Sequence, residues 1–355
     1  MRLDEPAWWY AGPADGGLAA RLLQPLARLV ARIAENRFAS TVPYRSRLPV
    51  ICIGNFTAGG TGKTPTTELV AAYLESLGKR PVVLSRGYGG RLRGPLFVER
   101  GTHTSSDVGD EPLLLARHAP VVVARKRDDG ARFIETNASD TGTFERTVIV
   151  MDDGLQNPLL AKNLTIALVD ARRGIGNGSV IPAGPLRANL DFQLSLVDCI
   201  VVVGESTDAT KPSIMSTLKH RFEGPVLAAR HAAEGSTEWL RDAPVLAYAA
   251  IADPGRFFRL LERLGAHLVG AVAFRDHRPF TKPDAERLLM AAADAGAQLV
   301  TTEKDLARLS SATGLCARLR GASRALPVKI TLDEPATLRL EALIRAAIAS
   351  VRTAS

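Results

Sequence analysis

Cysteine is scarce: Cys52, Cys199 and Cys316 are the three among 355 residues. They are odd in number and far apart, and two lie inside apolar runs, which argues against a disulfide framework or a zinc site and for a reducing compartment. Aromatic residues make up 5% of the chain and no basic cluster interleaves with them, so the stacking platform of a single-strand nucleic-acid binder is missing. No apolar stretch reaches 18 residues and no positively charged leader opens the chain, so neither an ordinary membrane span nor a secretory signal is expected, and the protein is placed in the cytoplasm. Long polar tracts, low-complexity segments and internal repeats are also absent. With 46% hydrophobic residues, the chain reads as a folded globular protein.

What is present suggests more than one domain, since 355 residues is about twice the ~150 of a typical one. Lys plus Arg at 45 against Asp plus Glu at 37 gives 45 − 37 = +8, which favours anionic partners without naming one. Near the amino terminus, Trp8, Trp9 and Tyr10 precede residues 18–34, where Leu18, Leu22, Leu26, Leu29 and Ile33 recur at helical spacing beside Arg21, Arg28 and Arg32. Such a helix either lies in a membrane interface or turns its apolar stripe to the core, and Pro25 would kink either version.

From residue 48, near-continuous apolar runs alternate with helical patterns. The runs at 49–54, 81–85, 120–124, 147–151, 164–170 and 199–204 read as strands buried on both faces, with crossover helices such as 66–77 and 111–118. This predicts an α/β fold with a doubly wound parallel sheet. The segment 206–242 breaks the rhythm, and a second strand–helix series over 245–310 predicts a smaller α/β domain across a cleft.

The strongest chemical signal is Gly59-Gly60-Thr61-Gly62-Lys63-Thr64, placed after a strand and before a helix. Glycines let successive backbone N–H groups close around phosphate oxygens, Lys63 reaches the β- and γ-phosphates, and the Thr64 hydroxyl suits Mg²⁺. Thr57 stands where the usual phosphate-loop pattern has its first glycine. The run 147–151 ends in Asp152 and Asp153: one is expected to hold Mg²⁺, and the second either helps or caps the turn before Gly154. Asp110, in Val108-Gly109-Asp110-Glu111-Pro112, suits either a helix cap or a base for an attacking hydroxyl. His277, in Arg275-Asp276-His277-Arg278, reads on its own as a solvated loop histidine.

These motifs, together with Gly54-Asn55-Phe56-Thr57-Ala58 before the loop, Ser85-Arg86-Gly87-Tyr88-Gly89, Asp152-Asp153-Gly154-Leu155-Gln156, Pro182-Ala183-Gly184-Pro185-Leu186-Arg187 and Thr301-Thr302-Glu303-Lys304-Asp305, occur in the order seen in the tetraacyldisaccharide 4′-kinase family. The resemblance spans roughly residues 8–309, and that family accepts Thr at the position of Thr57. It implies ATP- and Mg²⁺-dependent phosphorylation of the 4′-hydroxyl of a tetraacylated disaccharide 1-phosphate in lipid A synthesis, at the cytoplasmic face of an inner membrane. By the same resemblance, residues 57–64 hold ATP, Asp110 is the base and His277 assists it. Lys63 and Arg187 would stabilise the transferring phosphoryl group, and Asn55, Arg86, Glu111 and Gln156 would bind substrate. The implied layout is a membrane-associating segment over 1–40, a kinase domain over 41–224, a smaller domain with linker strands over 225–331, and a helix over 332–355 returning to the first domain. Neither nucleic acid nor an obligate protein partner is expected. Leu155, Asn157 and Pro158 depart from the family's usual Phe, His and Arg, and Ala250-Ile251-Ala252-Asp253-Pro254 from its Gly-Ile-Gly-Asn-Pro. The competing reading, a membrane-associated phosphate-loop ATPase switch, expects Lys where this chain has Ala58.

Overall fold

The computed structural model describes residues 6–10, 17–204, 213–276, 278–310 and 312–352. Among them run thirteen strands: β1 (Val50–Asn55), β2 (Arg80–Ser85), β3 (Leu96–Phe97), β4 (Val121–Val123), β5 (Thr147–Asp152), β6 (Leu164–Asp170), β7 (Cys199–Val203), β8 (Val226–Ala233), β9 (Pro244–Ala249), β10 (His267–Ala273), β11 (Gln298–Thr302), β12 (Ser323–Leu326) and β13 (Val328–Leu332). They form a nine-stranded sheet in the order β13-β8-β7-β6-β1-β5-β2-β4-β3 and a four-stranded sheet in the order β10-β9-β11-β12. The large sheet is parallel from β8 to β4, with β13 and β3 antiparallel at its edges. The small sheet is parallel throughout.

The two-residue period of a strand explains how the large sheet is covered on both sides. Ile51 and Ile53 of β1, with Leu164, Ile166 and Leu168 of β6, face one layer containing Val70 and Leu74 of the helix Lys63–Ser76 and Leu340 and Ile344 of the carboxy-terminal helix Glu334–Arg352. Val50 and Cys52 face the opposite side, against Ala131, Ile134 and Ala138 of the helix Arg127–Asp140. Each fully buried Ile or Leu here contributes ~1.5–3 kcal/mol, so register is set by burial on both faces at once.

The chain leaves the large sheet through β8 and returns through β13, pairing Val328 with Ala233 and Leu332 with Ala229, with the four-stranded sheet built between them. The segment 206–242, which lacked a clear pattern in sequence, supplies the helix Ile214–Arg221 and β8.

The helix Gly17–Ser40 runs unbroken through Pro25. Ala27 is buried, and Leu23, Val30 and Ala31 pack on the large sheet. The predicted stripe points the other way, with Leu18 at 73%, Leu22 at 71% and Ile33 at 58% exposure, which excludes the core-facing reading of that stripe. Among the described residues no helix is long and apolar enough to cross a membrane.

Candidate active site

β1 lies between β5 and β6, where the strand order turns back on itself; a crevice opens at the carboxyl ends of the strands at such a point. The phosphate loop leaves β1 there. Gly62 caps the following helix with φ of 90°, a left-handed conformation that glycine adopts without strain. The segment before Arg187 braces the loop entrance: Ala58 N donates to Pro185 O at 2.8 Å, Arg187 N to Phe56 O at 2.9 Å, and Thr57 bridges Leu186.

Lys63 and Thr64 are buried at the loop's end. Lys63 Nζ donates to Asn55 Oδ1 at 3.3 Å and lies 3.7 Å from Asp153 Oδ1. Arg187 reaches the same carboxylate oxygen at 3.0 Å and donates to Thr57 O at 3.2 Å. Thr61 Oγ1 is buried and has no hydrogen-bond partner among the described residues, an orphaned donor inside a loop shaped for anions.

The two aspartates ending the β5 segment differ. Asp152 is buried, accepts from Ser85 Oγ at 3.3 Å, and has its carboxyl pushed up to about 7 by desolvation and then by Glu111 and Asp153. Burial also works against the Asp153 anion, but Lys63 and Arg187 outweigh it and hold the group down at about 2. Glu111 accepts from Lys304 Nζ at 2.6 Å, and that ammonium is the main reason its carboxyl is lowered. Asp110 accepts from Arg308 Nε at 2.6 Å.

The structure thus gathers Lys63, Asp152, Asp153, Glu111 and Arg187 into one charged cluster, with Thr64 buried next to Lys63 in the chain. Asn55, expected against substrate, is instead fully buried: its amide donates to Gly59 O at 3.2 Å and its carbonyl oxygen accepts from Lys63, so both ends serve the loop. Gln156 Nε2 donates to Asn55 O and Gln193 Oε1, both at 2.7 Å, which bolsters the loop from beneath. Arg86 stands exposed beyond β2. His277 lies outside the described residues. Leu155, the departure from the family's aromatic, is fully buried in the core with Phe56 and Ala27.

Two residues escaped sequence reasoning. Arg127, 2% exposed, donates to Asp152 O at 2.8 Å and Ala124 O at 2.9 Å, tying β4 to the aspartate turn. Its signal was its place just beyond the carboxyl end of a parallel strand. Arg308 contacts Asp110 from the far side of the cleft, and no local pattern marks it. The cleft is also closed by Arg256 to Asp170 at 3.0 Å and Arg173 to Ala252 O at 2.9 Å.

A family model described as tetraacyldisaccharide-1-P 4′-kinase matches residues 19–348. Similar proteins include the tetraacyldisaccharide 4′-kinase of Rhodopseudomonas palustris strain BisB5, 45% identical over 338 residues and 94% of each chain. That of Nitrobacter winogradskyi is 44% identical over 349 residues, 98% of each chain. Among solved structures, the "apo" form of LpxK from Aquifex aeolicus in complex with ATP superposes with a TM-score of 0.70 at 25% identity, covering 93% of this chain and 100% of that one. With a phosphate loop, a paired-aspartate turn and an acid pair converging at one crevice, and with relatives matching along nearly its whole length, the chain belongs to the tetraacyldisaccharide-1-P 4′-kinase family.

Proposed function

We propose that this protein transfers the γ-phosphoryl group of ATP to the 4′-hydroxyl of a tetraacyldisaccharide 1-phosphate, a step of lipid A synthesis. The observation that carries the reading is the meeting of a phosphate loop, through Lys63, with the acid pair Asp110 and Glu111 at one end of the large sheet; Glu111 is lowered by Lys63 as well as by Lys304. Family membership supplies the identity of the acceptor.

The loop amides over residues 57–64 and Lys63 bind the nucleotide phosphates and meet the charge that develops on the equatorial oxygens. Arg187, already beside Asp153, adds a donor on the same side. Asp110 orients the acceptor hydroxyl and takes its proton as the new O–P bond forms and the bond to the departing ADP breaks; His277 assists it, and Arg86 and Glu111 contact the substrate. Closure of the small sheet over the loop excludes water that would otherwise accept the phosphoryl group.

Magnesium fits the donor set of Thr64, Asp152 and Asp153. All are hard oxygen ligands, and the mutual repulsion of Asp152, Asp153 and Glu111 is what a divalent cation relieves. Among the described residues no three acidic, histidine or cysteine side chains form a metal-holding group by themselves. When bound, the ion neutralises charge on the β- and γ-phosphates.

Residues 41–224 would then form the nucleotide-binding domain and 225–331 the smaller one, with the helix within 332–355 returning to the first. The exposed stripe of the amino-terminal helix, flanked by exposed Arg21, Arg28 and Arg32, supports peripheral docking on the cytoplasmic face of an inner membrane, where the lipid substrate resides. The test is incubation with ATP, Mg²⁺ and tetraacyldisaccharide 1-phosphate in detergent micelles, followed by mass spectrometry and phosphorus NMR of the lipid. One added phosphoryl group at the 4′ position is expected. Unmodified lipid, or phosphate at another position, would refute the assignment.

A further inference from the structure

Arg308 ends the short helix Glu303–Arg308 that follows β11. Its side chain is 6% exposed, and its short contacts include Nη1 to Ala250 O at 2.6 Å, Nη1 to Asp305 Oδ1 at 2.7 Å, and Nε to Asp110 Oδ2 at 2.6 Å. The first two partners belong to the small-sheet layer, and they are themselves fixed. Asp305 is completely buried; its Oδ2 accepts from Thr302 Oγ1 at 2.7 Å and from Ala250 N at 3.1 Å. The small layer therefore builds a rigid socket for the guanidinium and presents it to an acid of the large-sheet layer.

A purely cohesive role does not account for this arrangement. Arg117 and Glu303 already join the same two layers at 2.9 Å, with side chains 39% and 28% exposed. Arg308 and Asp110 are 6% and 13% exposed. A buried ion pair bears a desolvation penalty that well-packed apolar side chains of similar volume would avoid, so its net contribution to cohesion is small. What such a pair supplies is geometry: a planar guanidinium held from two sides fixes the carboxylate it grips.

We infer that Arg308 is a positioning residue for phosphoryl transfer, fixing the rotamer of Asp110 so that its carboxylate is presented to the acceptor hydroxyl only when the two layers are docked. This rests on the reading of Asp110 as the group that receives the hydroxyl. Orientation is what the clamp supplies, and the loose transition state of phosphoryl transfer depends more on orientation than on early proton removal. The socket thereby couples chemistry to closure: in an open cleft, Asp110 loses its clamp.

The experiment is single-turnover transfer of labelled γ-phosphate by the full-length protein carrying Arg308→Lys, Arg308→Gln, Asp110→Asn, or Asp110→Asn with Arg308→Lys, with Arg117→Gln as control. The Arg308 variants are expected to lower the transfer rate about 100-fold, the penalty of a misplaced catalytic group, while KM for ATP moves less than about threefold. Arg117→Gln leaves the rate unchanged. Adding Arg308→Lys to Asp110→Asn produces no further loss, because Arg308 acts through Asp110. If Arg308→Gln fails to fold because Asp305 loses its paired guanidinium, Arg308→Lys, which keeps the charge, decides the matter. Full activity in Arg308→Lys, or a loss additive with that of Asp110→Asn, overturns the positioning role; full activity in Asp110→Asn instead overturns the reading of Asp110 itself.

Discussion

Gly62 shows how much of the chemistry depends on one backbone angle. At φ of 90° a side chain is strained, and a Cβ there would meet His231 Cε1 at 3.2 Å. Gly62→Ala is expected to cost roughly 1–3 kcal/mol of local conformational energy and to weaken ATP binding, measured by calorimetric titration. Unchanged affinity would mean that the loop holds phosphate in some other conformation. His231 itself offers a pH test. Burial, then Arg256 and Arg263, pushes its imidazole down to about 3 from an ordinary 6.5, and Nε2 has no hydrogen-bond partner among the described residues. Above pH 6.5 it is neutral folded and unfolded alike. Between 6.5 and 3 only the unfolded chain takes up the proton, so stability falls with pH by up to ~1.4 kcal/mol per unit. Denaturant titrations at pH 7 and pH 5 should show a loss about 2 kcal/mol smaller in His231→Gln than in the wild type; equal losses would place the histidine in contact with water. At this scale the sequence is legible where function is local. Lys63 and Thr64 are named by their neighbours in the chain, whereas Arg127 and Arg308 acquire their meaning from partners 25 and 198 residues away.

Among the elements, the amino-terminal helix separates its roles by face. Leu23, Ala27, Val30 and Ala31 hold it on the large sheet, and Leu22, Leu26 and Leu29 stay 71%, 49% and 54% exposed. Replacing these last three by serine should leave the melting temperature nearly unchanged but weaken binding to anionic vesicles by about 100-fold or more, since each leucine contributes roughly 1–2 kcal/mol of burial. Calorimetry reads the first effect and sedimentation with vesicles the second. Equal vesicle binding would mean that the stripe does not contact lipid, and a large drop in melting temperature would mean that it packs against protein. Periodicity revealed the exposed stripe, but the inward face is small and mixed, so the mode of docking was not readable. The doubly buried strands β1, β5, β6 and β7 were readable because their apolar runs have no polar phase. β8 and β13 were reachable only as the linker strands that the family resemblance implies; no local pattern pairs them, because their antiparallel match joins residues about 100 positions apart.

Across the whole molecule, the insertion of the small sheet between β8 and β13 places a second layer over the phosphate loop, and ion pairs close the cleft from both sides: Arg256 with Asp170, and Lys304 with Glu111. The alternation of strands and helices foretold two α/β layers, but the docking between them lies in side chains such as Arg256 with Asp170 and Lys304 with Glu111, 86 and 193 residues apart, which no local pattern links. The net charge of +8 suits a protein whose proposed substrate is an anionic lipid in an anionic leaflet. Under the proposed function this architecture moves phosphate from ATP to that lipid. The most direct measurement is transfer of labelled γ-phosphate from ATP to tetraacyldisaccharide 1-phosphate by the wild type and by Lys63→Ala. Label should appear in the lipid with the wild type and fall by about 1,000-fold or more in the variant, the scale of losing a charged donor to the transferring group. Label released only as inorganic phosphate would make the protein an ATPase and not a lipid kinase, and lipid labelled equally well without Lys63 would remove the phosphate loop from the reaction.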